Sequence, residues 1–181
     1  AKNKVISNVA LLSFESLYPE ILVASPHLFS HINIYELFCQ MFQYIKDRRI
    51  NIKYAKQDDR NKFEIIKRWV NAFYGCAPNL GYLNHRTWMH IIYIQRELLW
   101  LFQHKIGEKD FIYCDTDEIY IKTNGTIGIK IYEIVTEILK ELQLEKIKYN
   151  IKTPKTMFLI AKKKYMFFDD PNISIKGIDF Y

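Results

Sequence analysis

Thirteen residues, Asp110-Phe-Ile-Tyr-Cys-Asp-Thr-Asp-Glu-Ile-Tyr-Ile-Lys122, constrain this chain more than any other stretch. Two apolar, β-prone runs, Phe111 to Tyr113 and Ile119 to Ile121, flank Asp115-Thr116-Asp117. That pattern predicts a β-hairpin with acids at its tip. If the strand runs through the acids, side-chain alternation points Asp115 and Asp117 the same way. Carboxylates held that close repel unless a cation sits between or near them, and Mg²⁺ is a cation such oxygens favour. Aspartates that merely cap a turn produce the same letters, so the spacing alone leaves both readings open.

The composition bounds the partners and the compartment. A chain of 181 residues is one domain, or a domain with a helical appendage, and can bury a core of its own. Apolar content of 49% without low-complexity tracts predicts a folded chain. No apolar run reaches the ~18 residues that span a bilayer, and the N-terminus has no signal-peptide pattern, so no membrane is expected. Cys39, Cys76 and Cys114 are odd in number, scattered and without a C-x-x-C pair. They predict a reducing, intracellular compartment and no structural zinc. A net charge of +6 fits a polyanionic partner.

Tyr113-Cys-Asp-Thr-Asp-Glu-Ile119 resembles motif C of the family B DNA polymerases, the Y-x-D-T-D-S signature of the palm, in the form found in the protein-primed, organellar and viral branch. The family's other motifs have counterparts in the same order. Ser13-Phe-Glu-Ser-Leu-Tyr-Pro-Glu-Ile21 resembles motif A, D-x-x-S-L-Y-P-S-I, and Lys67-Arg-Trp-Val-Asn-Ala-Phe-Tyr-Gly75 resembles motif B, K-x-x-x-N-S-x-Y-G. Lys162-Lys-Lys-Tyr165 followed by Lys176-Gly177 resembles the K-K-R-Y…K-G element that closes the palm.

The resemblance implies an α+β fold, with palm from 1–30 and 76–181 and a two-helix fingers projection from 31–75. It also implies that the chain has neither exonuclease nor complete thumb, as a region cut from a longer polymerase or one piece of a split one. The implied reaction is template-directed transfer of dNTPs to a primer 3′ end, with two Mg²⁺ or Mn²⁺ per site. The implied partners are primer–template DNA, dNTP and other polymerase chains or domains. By the same resemblance, Asp115 and Asp117 are the catalytic metal ligands. Backbone N–H groups at Ser16 and Leu17 cradle the triphosphate, and Tyr18 packs beneath the sugar and rejects a 2′-hydroxyl. Lys67 and Asn71 hold the triphosphate, Tyr74 and Gly75 lie beneath the nascent pair, and Lys163, Tyr165 and Lys176 follow the duplex. A gene of viral or mobile-element origin fits this branch.

One position departs sharply from the family. Ser13 stands where motif A has aspartate, which removes a full negative charge facing the metal ions. Glu15, two residues on, is the candidate substitute ligand. The departure opens a second reading, a non-catalytic polymerase-fold module kept for nucleic-acid binding or assembly.

Apolar periodicity predicts the elements around these motifs. A strand is expected from Lys4 to Ser13, then only short regular structure between Pro19 and Pro26. A helix capped by Asn33 runs through Ile45 towards Lys53, and a second, capped by Asp58 or Asp59, carries Phe63, Ile66, Val70 and Phe73. Arg86 to Gln103 reads as a core helix, apolar almost all round and closed by Gly107, and Ile131 to Leu142 as another helix after a turn at 124–128. Strands are expected at Leu144–Tyr149, Thr156–Ala161, Tyr165–Phe168 and Ile173–Ile178, the last two joined through Asp170-Pro171-Asn172, giving one antiparallel sheet with helices on one face. The five histidines form no ligand pattern.

Overall fold

A computed structural model describes residues 4–29, 32–54, 64–66, 68, 85–123, 127–152, 156–161, 163–169 and 172–176. They fall into two compact units, Ala1–Glu15 with Glu97–Tyr181, and Ser16–Arg96. The expected helix over 58–75 lies largely outside the described residues, although 64–66 and 68 are helical.

The first unit is α+β and its sheets are antiparallel. Its strands are β1 (Lys4–Ser7), β2 (Val9–Phe14), β3 (Phe111–Asp115), β4 (Glu118–Lys122), β5 (Tyr149–Lys152), β6 (Thr156–Ala161), β7 (Lys164–Asp169) and β8 (Asn172–Lys176). The run from Lys4, expected as one strand, breaks at Asn8, whose φ of 58° lies in the left-handed region that asparagine tolerates better than most residues. That break sends the two halves into different four-stranded sheets, ordered β3-β4-β2-β5 and β1-β6-β7-β8. One sheet was expected; there are two.

The first sheet is covered on both faces. Leu12 and Phe14 of β2 and Ile119 and Ile121 of β4 are buried on the face covered by helices. Against it lies the end of α3 (His85–Ile106), where Phe102 meets the Phe14 ring at 6.0 Å. Beside it runs α4 (Ile127–Glu141), which buries Ile131, Val135, Ile138 and Leu139 and is tied to α3 by Lys105–Glu137 at 2.7 Å. The Glu137 hydrogen bond raises the Lys105 pKa. On the opposite face Val9, Leu11, Tyr113 and Tyr120 meet Ile6, Met157, Tyr165 and Phe167 of the second sheet. Double coverage explains why Ile119-Tyr120-Ile121 is apolar without interruption.

Several expected boundaries move for local reasons. Gly107 does close α3: at φ 91° it donates its N–H to the Gln103 carbonyl at 2.9 Å. Yet α3 is not buried all round, because Met89, Tyr93 and Trp100 are about half exposed. Helix α4 begins at Ile127, inside the segment read as a turn. Leu144 to Lys148 is not a strand: Leu144 and Ile147, three apart, are both buried, and the Ile147 N–H bonds back to Leu144 at 3.0 Å. Spacing of three turns the chain; strands need two.

The second unit holds α1 (Leu17–Val23), a 3₁₀ turn at Pro26–Leu28, α2 (Ile32–Tyr54) and the first part of α3. Pro19 is the third residue of α1, where no intrahelical donor is lost. Asn33 does not cap α2, which already includes Ile32. Tyr35 donates to the Val23 carbonyl at 2.8 Å, and the buried Glu20 carboxylate is paired with Lys46. His27 and His90 meet edge to face at 5.6 Å, a contact the sequence reading missed.

Burial, and then the neighbouring His27, lower the His90 pKa below the ordinary imidazole value. A depressed folded-state pKa gives stability that is present above about pH 6.5 and lost as pH falls through the folded value. The thermal midpoint should therefore fall on going from about pH 7 to pH 5, with a shallower slope in His90→Gln. Equal slopes in the two proteins would contradict this.

Candidate site at the β3–β4 hairpin tip

Strand pairing assembles the tip. Asp115 pairs with Glu118 across the hairpin, Glu118 with Ser13, and Ser13 with Asn150. Directly paired residues of antiparallel strands share a face, their Cβ atoms about 4.5–5.5 Å apart. One row, Asp115–Glu118–Ser13–Asn150, therefore crosses the four strands. Asp117 sits in the turn, and its carbonyl accepts the Phe14 N–H at 2.9 Å. Glu15 is exposed and donates its N–H to Lys148 at 2.8 Å. The segments read as motifs A and C are thus hydrogen-bonded neighbours.

Alternation does not carry Asp117 onto the face of Asp115, because β3 ends at Asp115. Thr116 follows with φ 61°, where a β-branched residue is costly, roughly 1–3 kcal/mol. Thr116 also donates to Asp115 at 3.4 Å. The carboxylate aligned with Ser13 is instead that of Glu118, which the sequence reading did not single out. Its signal was available: Glu118 and Tyr120 are two apart on an apolar strand, so both face the second sheet.

That carboxylate is held from below. Tyr120 donates to Glu118 Oε2 at 2.5 Å, Tyr165 to the same oxygen at 3.3 Å, and the two hydroxyls lie 2.8 Å apart. Tyr113 stacks on Tyr120 with centroids at 5.7 Å, and its hydroxyl accepts the Lys163 N–H at 2.9 Å. Burial first, and then the bond to Glu118, raises the Tyr120 pKa far above the phenol range, so it remains a donor. These contacts join the Lys-Lys-Lys-Tyr segment to the hairpin. Tyr165 is 1% exposed, and its hydroxyl is engaged with Tyr120 and Glu118. Lys163, at φ 62°, is exposed, as are Lys146, Lys148, Lys152 and Lys164.

The other expected site residues are accounted for singly. Ser16 is the N-cap of α1 at φ 53°, Leu17 is buried and Tyr18 half-buried, all in the second unit. Lys67, Asn71, Tyr74 and Gly75 lie outside the described residues, as does the Lys176 side chain, although β8 pairs Lys176 with Tyr165.

Among the described residues no three His, Cys, Asp or Glu side chains converge to hold a metal ion. A two-ion centre needs carboxylates from both segments. The β2 end offers a serine hydroxyl, which is neutral, and Glu118 is bound to two phenols. With Ser13 in place of aspartate, the described donors lack one carboxylate of such a centre. Also among the described residues, no helix is long and apolar enough to cross a membrane. A scan against protein-family models gives no match, and a search of curated proteins finds no significantly similar sequence.

Proposed function

We propose that the chain is the palm-and-fingers region of a family B-like DNA polymerase, one that binds primer–template DNA but transfers nucleotides very slowly. The observation that carries this reading is the Phe14–Asp117 hydrogen bond. It sets the motif A-like strand end beside the motif C-like tip, as a shared site for the primer end and dNTP requires. Two segments about a hundred residues apart in sequence have no need to meet there if each is only a turn. The exposed lysines around β5 and the start of β7 supply positive charge for the phosphate backbone.

In this reading Asp115 and Asp117 supply negative potential at the tip, where Mg²⁺ or Mn²⁺ carried by dNTP is the expected cofactor. Glu118 is a positioning residue, anchoring the hairpin through Tyr120 and Tyr165. Ser13 favours the second reading, a polymerase-fold module retained for nucleic-acid binding or assembly. The first reading and the nucleic-acid-binding form of the second both need a nucleic-acid surface; the assembly form does not.

Primer–template affinity is therefore expected to fall steeply with salt. About four phosphate contacts would lose roughly a hundredfold between 50 and 200 mM monovalent salt. A fluorescence-anisotropy titration at several salt concentrations checks this. Salt-insensitive binding, or none at low salt, would refute the polymerase reading and leave only a module retained for assembly.

A further inference from the structure

At the end of the first unit remote from the hairpin tip, the layer between the two sheets opens. Strands β1 and β3 are each the edge of their sheet, and a cleft of about 600 Å³ lies between them. That volume is within the range of about 300–1,000 Å³ typical of small-molecule sites. Its walls combine Ile6, Leu159 and Ile112, which also pack against the inter-sheet core, with Phe111, Ser7 and Asn8. Lys4, Lys109 and Lys122 line it too, with one acid, Glu108, among the described lining residues.

The lysines are there for a structural reason. Lys122 is two residues from Tyr120, and Lys4 two residues from Ile6, so both continue rows that point into the inter-sheet layer. A buried layer ending in two inward-row lysines offers a cationic mouth above an apolar floor. Lysine ammonium groups bind phosphate as point charges, and three of them against one carboxylate leave an excess suited to a dianion. An acyl chain would suit the floor alone. Ser7, Asn8 and Glu108 among the lining favour a body that carries hydrogen-bonding groups, and Phe111 offers a ring beside it.

We propose that this cleft binds a nucleoside monophosphate, its phosphate on Lys4, Lys109 and Lys122 and its base against Phe111 and Ile112. The site is separate from the hairpin tip, needs no metal ion, and does not rest on the polymerase reading. A free nucleotide and a 5′-phosphorylated strand end present the same chemistry.

The test is calorimetric titration of dAMP into the full chain in EDTA at low salt. Saturable binding is expected, with deoxyadenosine and inorganic phosphate each at least about tenfold weaker. The Lys4→Gln/Lys122→Gln variant, altered only at exposed side chains, should weaken dAMP binding by about tenfold or more, the loss of a charge-assisted contact. Asp117→Asn should leave it unchanged. No saturable binding, an unaffected double variant, phosphate as tight as dAMP, or loss in Asp117→Asn would each overturn the proposal. Displacement of dAMP by a 5′-phosphorylated oligonucleotide but not its 5′-hydroxyl form would identify a strand end as the ligand; no displacement by either would identify the free nucleotide.

Discussion

Tyr120→Ala is expected to destabilise the first unit by about 3–5 kcal/mol, and Tyr120→Phe by only about 1–2 kcal/mol. Tyr120 is fully buried, stacks on Tyr113 and Phe167 and meets Tyr165 edge on. Alanine removes the ring from both sheets at once and leaves a cavity; phenylalanine keeps the ring and removes one donor. The difference separates packing from hydrogen bonding. Native stability is on the order of 5–15 kcal/mol, so the alanine variant should be partly unfolded or melt far earlier. Denaturant titrations of the three proteins measure both values. Equal losses for Phe and Ala would mean that the hydroxyl network, not the inter-sheet core, holds the hairpin.

The same network links stability to the tip. With Tyr120→Phe, Glu118 loses the shorter of its two phenol contacts and keeps the one from Tyr165, at 3.3 Å. The turn residues Thr116 and Asp117 should then lose hydrogen-exchange protection before the rest of the sheet does.

The hairpin was legible in the sequence because its two apolar runs and its polar turn are local signals. Thr156–Ala161 was legible for the same reason. The break at Asn8 was not. Val9 to Leu12 is apolar on both faces and Val5 is apolar though exposed, so alternation does not mark the passage from one sheet to the other. Leu144 to Lys148, expected as part of a strand, turns instead, its two buried residues lying three apart. Tyr165 was given a duplex contact by the resemblance of its segment alone; its partners in the fold, Tyr120 and Glu118, lie more than forty residues away and left no local signal. Pairing of Ser13 with Glu118 likewise depends on strand register, which no local pattern states. The order of the four motif-like segments, by contrast, was visible at once. Of these, the segments around Ser13, Asp117 and Tyr165 meet in the first unit.

The central claim concerns Ser13. A carboxylate facing two dications at close range is worth several kcal/mol in a partly buried site, and each 1.36 kcal/mol is tenfold in rate. Restoring it by Ser13→Asp should therefore raise nucleotidyl transfer by about a hundredfold or more, with little change in DNA affinity. Ser13 is half-exposed at a strand end, so the substitution should be accommodated. The decisive measurement is single-nucleotide incorporation on a primer–template with protein in excess, in Mg²⁺ and in Mn²⁺, for the unmodified chain, Ser13→Asp and Glu15→Gln. The account predicts almost no incorporation by the unmodified chain and clear incorporation by Ser13→Asp. Robust incorporation by the unmodified chain that Glu15→Gln abolishes would contradict it and make Glu15 the ligand; no gain in Ser13→Asp would contradict it and leave a chain that needs a thumb or partner, or a non-catalytic module.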